Sequence, residues 1–261
     1  MGRVLAVANQ KGGVGKTTTA INLGACLAER GRRVLLGDVD PQGNATTGLG
    51  ISKDSEDPTM YEVLVEGRSV RDAIRPTLVE NMHMIPGSVD LAGAEIELVA
   101  RQRREFRLRE ALRDVRDRYD FILLDCPPSL GLMTLNALVA ADAVLIPLQT
   151  EYYALEGLTQ LLRTVQMVQA GLNPALTVDG IVLTMFDART NLAIQVADEV
   201  KRHFPDKVYR SVVPRNVRLS EAPSHGRPIS RYDPRSRGTE VYRELAQEVL
   251  IRGKAGTGAR T

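Results

Sequence analysis

A cluster of glycine, lysine and threonine residues near the N-terminus has the spacing of a phosphate-binding loop. Gly12, Gly13 and Gly15 would let backbone N–H groups turn inward, because no Cβ blocks the approach of a phosphate. Lys16 would neutralise β- and γ-phosphates, and the Thr17 hydroxyl would ligate Mg²⁺. We therefore predict a nucleotide site in this loop, formed by Lys11, Gly12, Gly13, Val14, Gly15, Lys16, Thr17 and Thr18.

The segments on either side of the loop are those that such a loop requires. The apolar run 4–8 predicts a buried strand, and residues 17–30 carry apolar side chains at helical spacing. The N-terminus of that helix would add positive potential to the site. A flexible glycine-rich turn is the alternative, but the strand, the helix and the two lysines favour phosphate binding.

Three carboxylates end predicted strands elsewhere in the chain. Asp38 and Asp40 follow the predicted strand 33–37, and Asp125 ends the apolar run 120–125. Parallel sheets bind ligands at the carboxyl ends of their strands, so these acids should lie near the loop. Asp125 would support Mg²⁺ through water. The residues around Asp40 are also common turn formers, and only the nearby phosphate loop favours a functional role.

The remaining chain alternates strands and helices, which predicts an α/β protein with one doubly wound, mostly parallel sheet flanked by helices, as in P-loop NTPases. We assign residues 1–251 to this single domain and predict a disordered tail over 252–261, where no apolar face exists. Residues 45–60 are predicted to form a surface loop. The segment 101–118 is predicted to be one solvated amphipathic helix with many Arg–Glu ion pairs.

The amino-acid composition disfavours several classes of function. The chain has 261 residues, 43% hydrophobic and 25% charged, with a net charge of +2 and no tryptophan. Aromatic residues are only 4%, which disfavours a base-stacking surface for single strands. No apolar run reaches the length of a membrane span, and the first strand begins too early for a signal peptide, so a cytoplasmic location is expected. Cys26 and Cys126 cannot form a zinc site by themselves.

The loop departs from the usual G-x-x-x-x-G-K-S/T pattern, because Gln10 occupies the first glycine position and Lys11 precedes the glycines. The pattern K-G-G-x-G-K-T resembles the deviant Walker A motif of the ParA/MinD/nitrogenase-iron-protein ATPases. Four stretches together resemble the chromosomal ParA proteins, often called Soj, and span most of the chain: 9–49, 125–129, 151–157 and 214–228. The resemblance implies an ATP-dependent switch that segregates chromosomes or plasmids with a ParB/Spo0J-type partner and associates with the nucleoid.

This resemblance also implies a homodimer that encloses two ATP molecules. Lys16 would contact the phosphates in its own subunit, and Lys11 would reach the ATP of the other subunit. Two lysines at each site would offset the repulsion between facing nucleotides. Gly12 would lie at the closest backbone approach between subunits, where no side chain fits. Lys11 and Gly12 are therefore the predicted dimer-interface residues.

The resemblance assigns further roles around the nucleotide. Asp40 matches the catalytic carboxylate that positions the attacking water, so Lys11, Lys16 and Asp40 form the predicted catalytic set. Asp38 would assist the water shell of the metal, which makes Thr17, Asp38 and Asp125 the predicted metal residues. Pro214 and Asn216 match the segment that cradles the adenine, where an Asn amide offers one donor and one acceptor.

Members of this family bind double-stranded DNA without sequence preference as ATP dimers. From residue 186 to 237 the chain has eleven Lys or Arg against six Asp or Glu, a net charge of +5. Arg189 and Arg218 match positions implicated in DNA binding in the family, and the acidic Asp187 lies two residues before Arg189. A merely solvated basic face is the alternative.

Three other classes of protein fit the sequence less well. A MinD-like positioning ATPase acting at a membrane is the main alternative, but residues 252–261 offer no amphipathic anchor. A redox protein resembling the nitrogenase iron protein needs two cluster-ligating cysteines per subunit, and only Cys126 is suitably placed. A bacterial tyrosine kinase would need a C-terminal tyrosine cluster, which the sequence lacks.

Overall fold

The fold is built on a seven-stranded sheet with strand order β3-β4-β2-β5-β1-β6-β7 in the computed structural model, which describes residues 1–53 and 57–257. All neighbouring strands are parallel except β3 and β4, which are antiparallel. The strands are β1 (Arg3–Val7), β2 (Val34–Asp38), β3 (Arg75–Pro76), β4 (Met82–Ile85), β5 (Phe121–Asp125), β6 (Ala143–Gln149) and β7 (Thr177–Thr184).

Helices connect the parallel strands. They are α1 (Lys16–Glu29), α2 (Asn44–Gly48), α3 (Val70–Ala73), α4 (Leu91–Glu97), α5 (Arg107–Leu112), α6 (Leu132–Ala140), α7 (Ala154–Gly171), α8 (Asn191–His203), α9 (Val217–Glu221), α10 (Ile229–Tyr232) and α11 (Arg237–Thr257). A π-helical turn (Glu62–Glu66) and three 3₁₀ turns (Arg104–Phe106, Arg116–Arg118 and Ala222–His225) complete the description.

The sheet is covered on both faces, which confirms the predicted doubly wound α/β class. Successive side chains of a strand point to opposite faces. In β1, Val4 and Ala6 join the core cluster formed with α6 and α7, whereas Leu5 and Val7 join the cluster formed with α1 and α11. Because both faces are buried, the central strands are continuous apolar runs rather than alternating ones.

The predicted single helix over 101–118 is wrong, because the segment is broken into a 3₁₀ turn, the short helix α5 and a second 3₁₀ turn. Arg103 has a positive φ of 55°, which interrupts a helix. Asn136 then binds both the Arg104 carbonyl oxygen (2.9 Å) and the Leu108 N–H (3.2 Å). A distant side chain has therefore replaced local helical bonding. Arg116 likewise pairs with Asp142 (2.6 Å) rather than with a neighbouring glutamate.

Two further boundaries differ from the sequence prediction. Residues 45–60 contain most of the buried helix α2, so they are not simply a surface loop. The last helix continues to Thr257 instead of ending before 252. Arg252 fixes this extension, because its guanidinium donates to the carbonyl oxygens of Asp179 (2.9 Å) and Val208 (3.0 Å). The rest of the predicted tail, 258–261, lies outside the described residues. None of the described helices has the length and hydropathy needed to cross a bilayer.

Candidate nucleotide-binding site

The loop between β1 and α1 has the backbone conformation of a phosphate cradle. Gly13 and Gly15 have φ values of 75° and 85°, a region that L side chains rarely adopt. The loop is tied to the end of β7, since the Thr184 hydroxyl donates to the Val14 carbonyl oxygen at 2.8 Å. Thr184 is buried, and the sequence analysis did not single it out. A threonine at the end of a predicted strand was the only signal for this role.

Lys16 lies at the base of this loop and is only 6% exposed. Its Nζ donates to the Lys11 carbonyl oxygen at 2.8 Å, which holds the loop closed on the lysine. Burial lowers the pKa of Lys16, and the nearby Asp125 partly opposes that shift by favouring the charged form. An anionic phosphate would give this buried ammonium group a far stronger partner than a carbonyl oxygen.

Asp125 lies at the end of β5, in register with Asp38 at the end of β2. Both of its carboxylate oxygens are buried and accept no hydrogen bond in the described part of the chain. The Thr17 hydroxyl lies close enough to favour the charged form, but not in full hydrogen-bonding geometry. Burial, followed by repulsion from Asp38, raises the pKa of Asp125 well above its usual value. A buried acid without a partner beside a threonine hydroxyl fits a Mg²⁺ ion with a water shell.

Asp38 has a different environment from Asp125. Its Oδ2 accepts hydrogen bonds from the Thr46 N–H (2.9 Å) and hydroxyl (2.8 Å), and its Oδ1 accepts one from the Asp40 N–H (3.2 Å). Burial raises the pKa of Asp38 to about 6, against these hydrogen bonds, which favour the charged form. Asp38 therefore fixes the turn that carries Asp40. A contribution to the metal's water shell stays a prediction.

Asp40 lies in the turn after β2 and is 5% exposed. One of its oxygens, Oδ1, accepts a hydrogen bond from the Gln42 N–H at 2.9 Å. Asp40 is close enough to influence the charge of both Lys16 and Asp125. The structure therefore brings together the predicted phosphate, metal and water-orienting residues. Among the described residues, no group of three or more His, Cys, Asp or Glu forms a preformed metal cage, so a Mg²⁺ ion here would depend on phosphate and water oxygens.

Lys11 and Gly12 lie on the outer side of the loop. The Lys11 ammonium forms an ion pair with Glu151 of the same chain, and the Lys11 N–H donates to Asn9 at 3.0 Å. A Cβ placed on Gly12 would meet only Pro128, at 3.9 Å. No close contact with the described residues therefore requires glycine at position 12, which is compatible with a contact between subunits.

Pro214 and Asn216 lie next to the end of β7. Pro214 pairs with Phe186 in an isolated parallel bridge, and the Arg215 N–H donates to the Phe186 carbonyl oxygen at 3.2 Å. The Asn216 side chain accepts a hydrogen bond from the Arg218 N–H at 2.8 Å and so caps α9. Since Thr184 binds the phosphate loop, this segment is connected to the site through β7, which is compatible with the predicted adenine contact.

The two predicted DNA-binding arginines lie outside the nucleotide site. Arg189 follows β7 and has an 87% exposed side chain, which forms an ion pair with Asp187. Arg218 in α9 is 56% exposed and forms an ion pair with Glu221. Both arginines are thus accessible, and both already have acidic partners in the same chain.

A parallel doubly wound sheet, a glycine-rich loop before α1 and carboxylates at the ends of β2 and β5 define a nucleotide-binding P-loop protein of the deviant Walker A class. The family model described as an AAA domain matches residues 2–178. The chain belongs to the ParA/Soj family of chromosome-partitioning ATPases, since it is 62% identical to the sporulation initiation inhibitor protein Soj of Bacillus subtilis over 97% of this chain and 100% of that protein.

A further relative agrees with this family assignment, and a solved structure shares the fold. The chromosome partitioning protein ParA of Myxococcus xanthus is 56% identical over 97% of this chain and 89% of that protein. A crystal structure of cobyrinic acid a,c-diamide synthase from Mycobacterium smegmatis, with bound ATP analogue and magnesium, superposes with a TM-score of 0.86 at 41% identity, covering 98% and 97% of the two chains.

Proposed function

We propose that this protein is a Mg²⁺-dependent ATPase that acts as a chromosome- or plasmid-partitioning switch. In its ATP form it is a dimer that binds double-stranded DNA without sequence preference and associates with the nucleoid. A ParB/Spo0J-type protein stimulates its hydrolysis of ATP. The observation that carries this proposal is the position of Lys16 and Thr17, beneath a glycine-rich loop, beside the buried Asp125 carboxylate, which accepts no hydrogen bond from the described residues.

The chain's own residues support a hydrolytic role at this site. Lys16 would bind the β- and γ-phosphates, and Thr17 with Asp125 would hold Mg²⁺ and its water. The metal would supply charge neutralisation across the phosphates. Asp40 would orient a water whose oxygen bonds to the γ-phosphorus as the bond to the β–γ bridging oxygen breaks and ADP leaves. Alignment matters more than basicity in phosphoryl transfer, so a carboxylate suffices.

The dimer is supported by the outward position of Lys11 and Gly12. In the isolated subunit Lys11 is paired with Glu151, and its side chain is 41% exposed. A facing nucleotide would offer Lys11 phosphate oxygens instead of one carboxylate. The absence of a side chain at Gly12 would allow two loops to approach closely, and the subunit itself does not need a glycine there.

A gel shift on plain duplex DNA tests the proposal, with ATP, ADP and no nucleotide compared on two unrelated sequences. We expect binding with ATP only, with equal affinity for both sequences and a steep loss of affinity with salt. DNA binding that ignores the nucleotide, or strong preference for one duplex, would contradict the switch. ATP-dependent binding to lipid vesicles without DNA binding would instead support a MinD-like role.

A further inference from the structure

The basic segment 186–237 contains cations that differ in their local partners. The Arg189 guanidinium grips Asp187 with two parallel hydrogen bonds, from Nε to Oδ1 (2.9 Å) and from Nη2 to Oδ2 (2.7 Å). Arg218 donates from Nη1 to Glu221 Oε2 at 2.8 Å and lies 3.7 Å from Asp233. By contrast, the exposed Arg215 has no acidic partner within ion-pair distance among the described residues.

The acids occupy the faces of the arginines that a phosphate would use. Arginine binds carboxylate and phosphate with the same planar fork, so the two anions compete for one set of N–H donors. Asp187 also accepts the Arg189 N–H at 3.0 Å, which fixes the carboxylate beside the guanidinium. Glu221 is held in place by the Tyr232 hydroxyl at 3.1 Å. Both carboxylates are therefore held beside their arginines by additional hydrogen bonds.

The same loops connect these pairs with the predicted adenine segment. The Phe186 N–H donates to the Val213 carbonyl oxygen at 3.1 Å, one residue before Asp187. Asn216 caps α9 through the Arg218 N–H. Each arginine lies in the same short segment as its acidic partner, so both ion pairs border the predicted adenine segment as preformed units.

We propose that Asp187 and Glu221 are intramolecular competitors of DNA phosphates at Arg189 and Arg218, and that they thereby set the DNA affinity of the protein. This inference rests on the proposed DNA-binding function. A DNA phosphate that binds through the Nε–Nη2 edge of Arg189, or through Nη1 of Arg218, must displace the carboxylate that occupies those donors. Arg215 can still make the first contact with a DNA phosphate, so Asp187 and Glu221 lower the affinity for DNA without preventing binding.

Asp187→Asn tests the inference, with Asp198→Asn as the matched control. Both variants remove one negative charge from segment 186–237, but Asp198 lies exposed on α8 with no ion-pair partner in the described part of the chain. Asparagine keeps the oxygen that accepts the Arg189 N–H, so the loop should persist. With ATP, we expect Asp187→Asn to bind plain duplex DNA about threefold to tenfold more tightly than Asp198→Asn, since each dimer frees two arginines. Glu221→Gln should act in the same direction.

A second comparison removes the arginine. In an Arg189→Ala background, Asp187→Asn should improve affinity much less than in the natural background, because only the weaker attraction between Asp187 and Arg215 remains to be removed. Equal affinities of Asp187→Asn and Asp198→Asn in the natural background would overturn the inference while leaving DNA binding intact. The same gain with and without Arg189 would also overturn it. Absence of ATP-dependent DNA binding by every variant and by the natural protein would overturn the proposed function as well.

Discussion

Asp125→Asn should stabilise the nucleotide-free protein and at the same time weaken its response to MgATP. Asp125 is fully buried, both of its oxygens lack hydrogen-bond partners among the described residues, and its carboxylate faces Asp38 on the adjacent strand end. An unsatisfied buried polar group costs about 1–3 kcal/mol, and a charged one costs more. Removing the charge should therefore raise the free energy of unfolding by about 1–3 kcal/mol, which for a chain of this size corresponds to roughly 2–10 °C in Tm.

The size of this effect should depend on pH. Burial raises the folded-state pKa of Asp38 to about 6 and that of Asp125 well above its usual value. A carboxyl group with a raised folded-state pKa binds more protons in the folded state than in the unfolded state. It therefore does not lower the free energy of unfolding at a pH below its unfolded-state pKa, but lowers it as the pH rises through its folded-state pKa. The nucleotide-free natural protein should thus lose stability between about pH 4 and pH 6 through Asp38, and the loss should be smaller in Asp125→Asn because one repulsive partner is gone.

Thermal unfolding with EDTA, then with saturating MgATP, measures both halves of this prediction. At one hundred times its Kd, MgATP should stabilise the natural protein by about 2.7 kcal/mol, and Asp125→Asn should lose most of that gain. Asp142→Asn is the matched control, because Asp142 is paired with Arg116 at 2.6 Å and its loss should destabilise the protein. The reasoning fails if nucleotide-free Asp125→Asn melts below the natural protein at pH 8, or if its MgATP shift is undiminished.

The other predictions concern hydrolysis, dimerisation and DNA. Asp40→Ala should bind ATP and dimerise but hydrolyse at least about a hundredfold more slowly, because a water-orienting group is lost; sedimentation and phosphate release test this, and turnover at the natural rate would contradict it. Gly12→Val should fold normally, because among the described residues a Cβ at position 12 meets only Pro128, at 3.9 Å. The variant should nevertheless remain monomeric with ATP. An ATP dimer of full size by sedimentation would refute the predicted dimer that encloses two ATP molecules. Arg218→Glu should abolish DNA binding while ATP-dependent dimerisation persists, as a salt titration on two duplexes would show, with the exposed Arg109→Glu as the charge control. Unchanged affinity of Arg218→Glu would leave the basic segment without a role in DNA binding.

The phosphate loop and the fold class are determined largely by local sequence. The glycines at 13 and 15 permit the positive φ values that the loop adopts, and the short apolar runs around Leu5, Leu35 and Leu123 are typical of strands buried on both faces. These features depend on steric and hydrophobic properties of neighbouring residues. They can therefore be read from a short stretch of chain, as can the aspartates that end β2 and β5.

Other features depend on partners that are distant in the sequence. The break in the segment 101–118 follows from the hydrogen bonds of Asn136, and the extension of α11 follows from the carbonyl oxygens that Arg252 finds near β7. Helical periodicity and composition carry no information about such contacts. In the same way, no pattern in the sequence shows that Asp38 accepts hydrogen bonds from Thr46 while Asp125 accepts none from the described residues.

The sequence by itself thus determined which residues can bind phosphate, ligate a metal or carry positive charge, because those properties belong to residue types and short spacings. Only the tertiary structure decided that Asp38 is hydrogen-bonded whereas Asp125 has no hydrogen-bond partner among the described residues. It also decided that Thr184 holds the phosphate loop, and that Arg189 and Arg218 are each paired with a carboxylate. The physical reason is that burial and hydrogen bonding depend on where distant segments meet, and the packing of the whole sheet and its helices sets those positions.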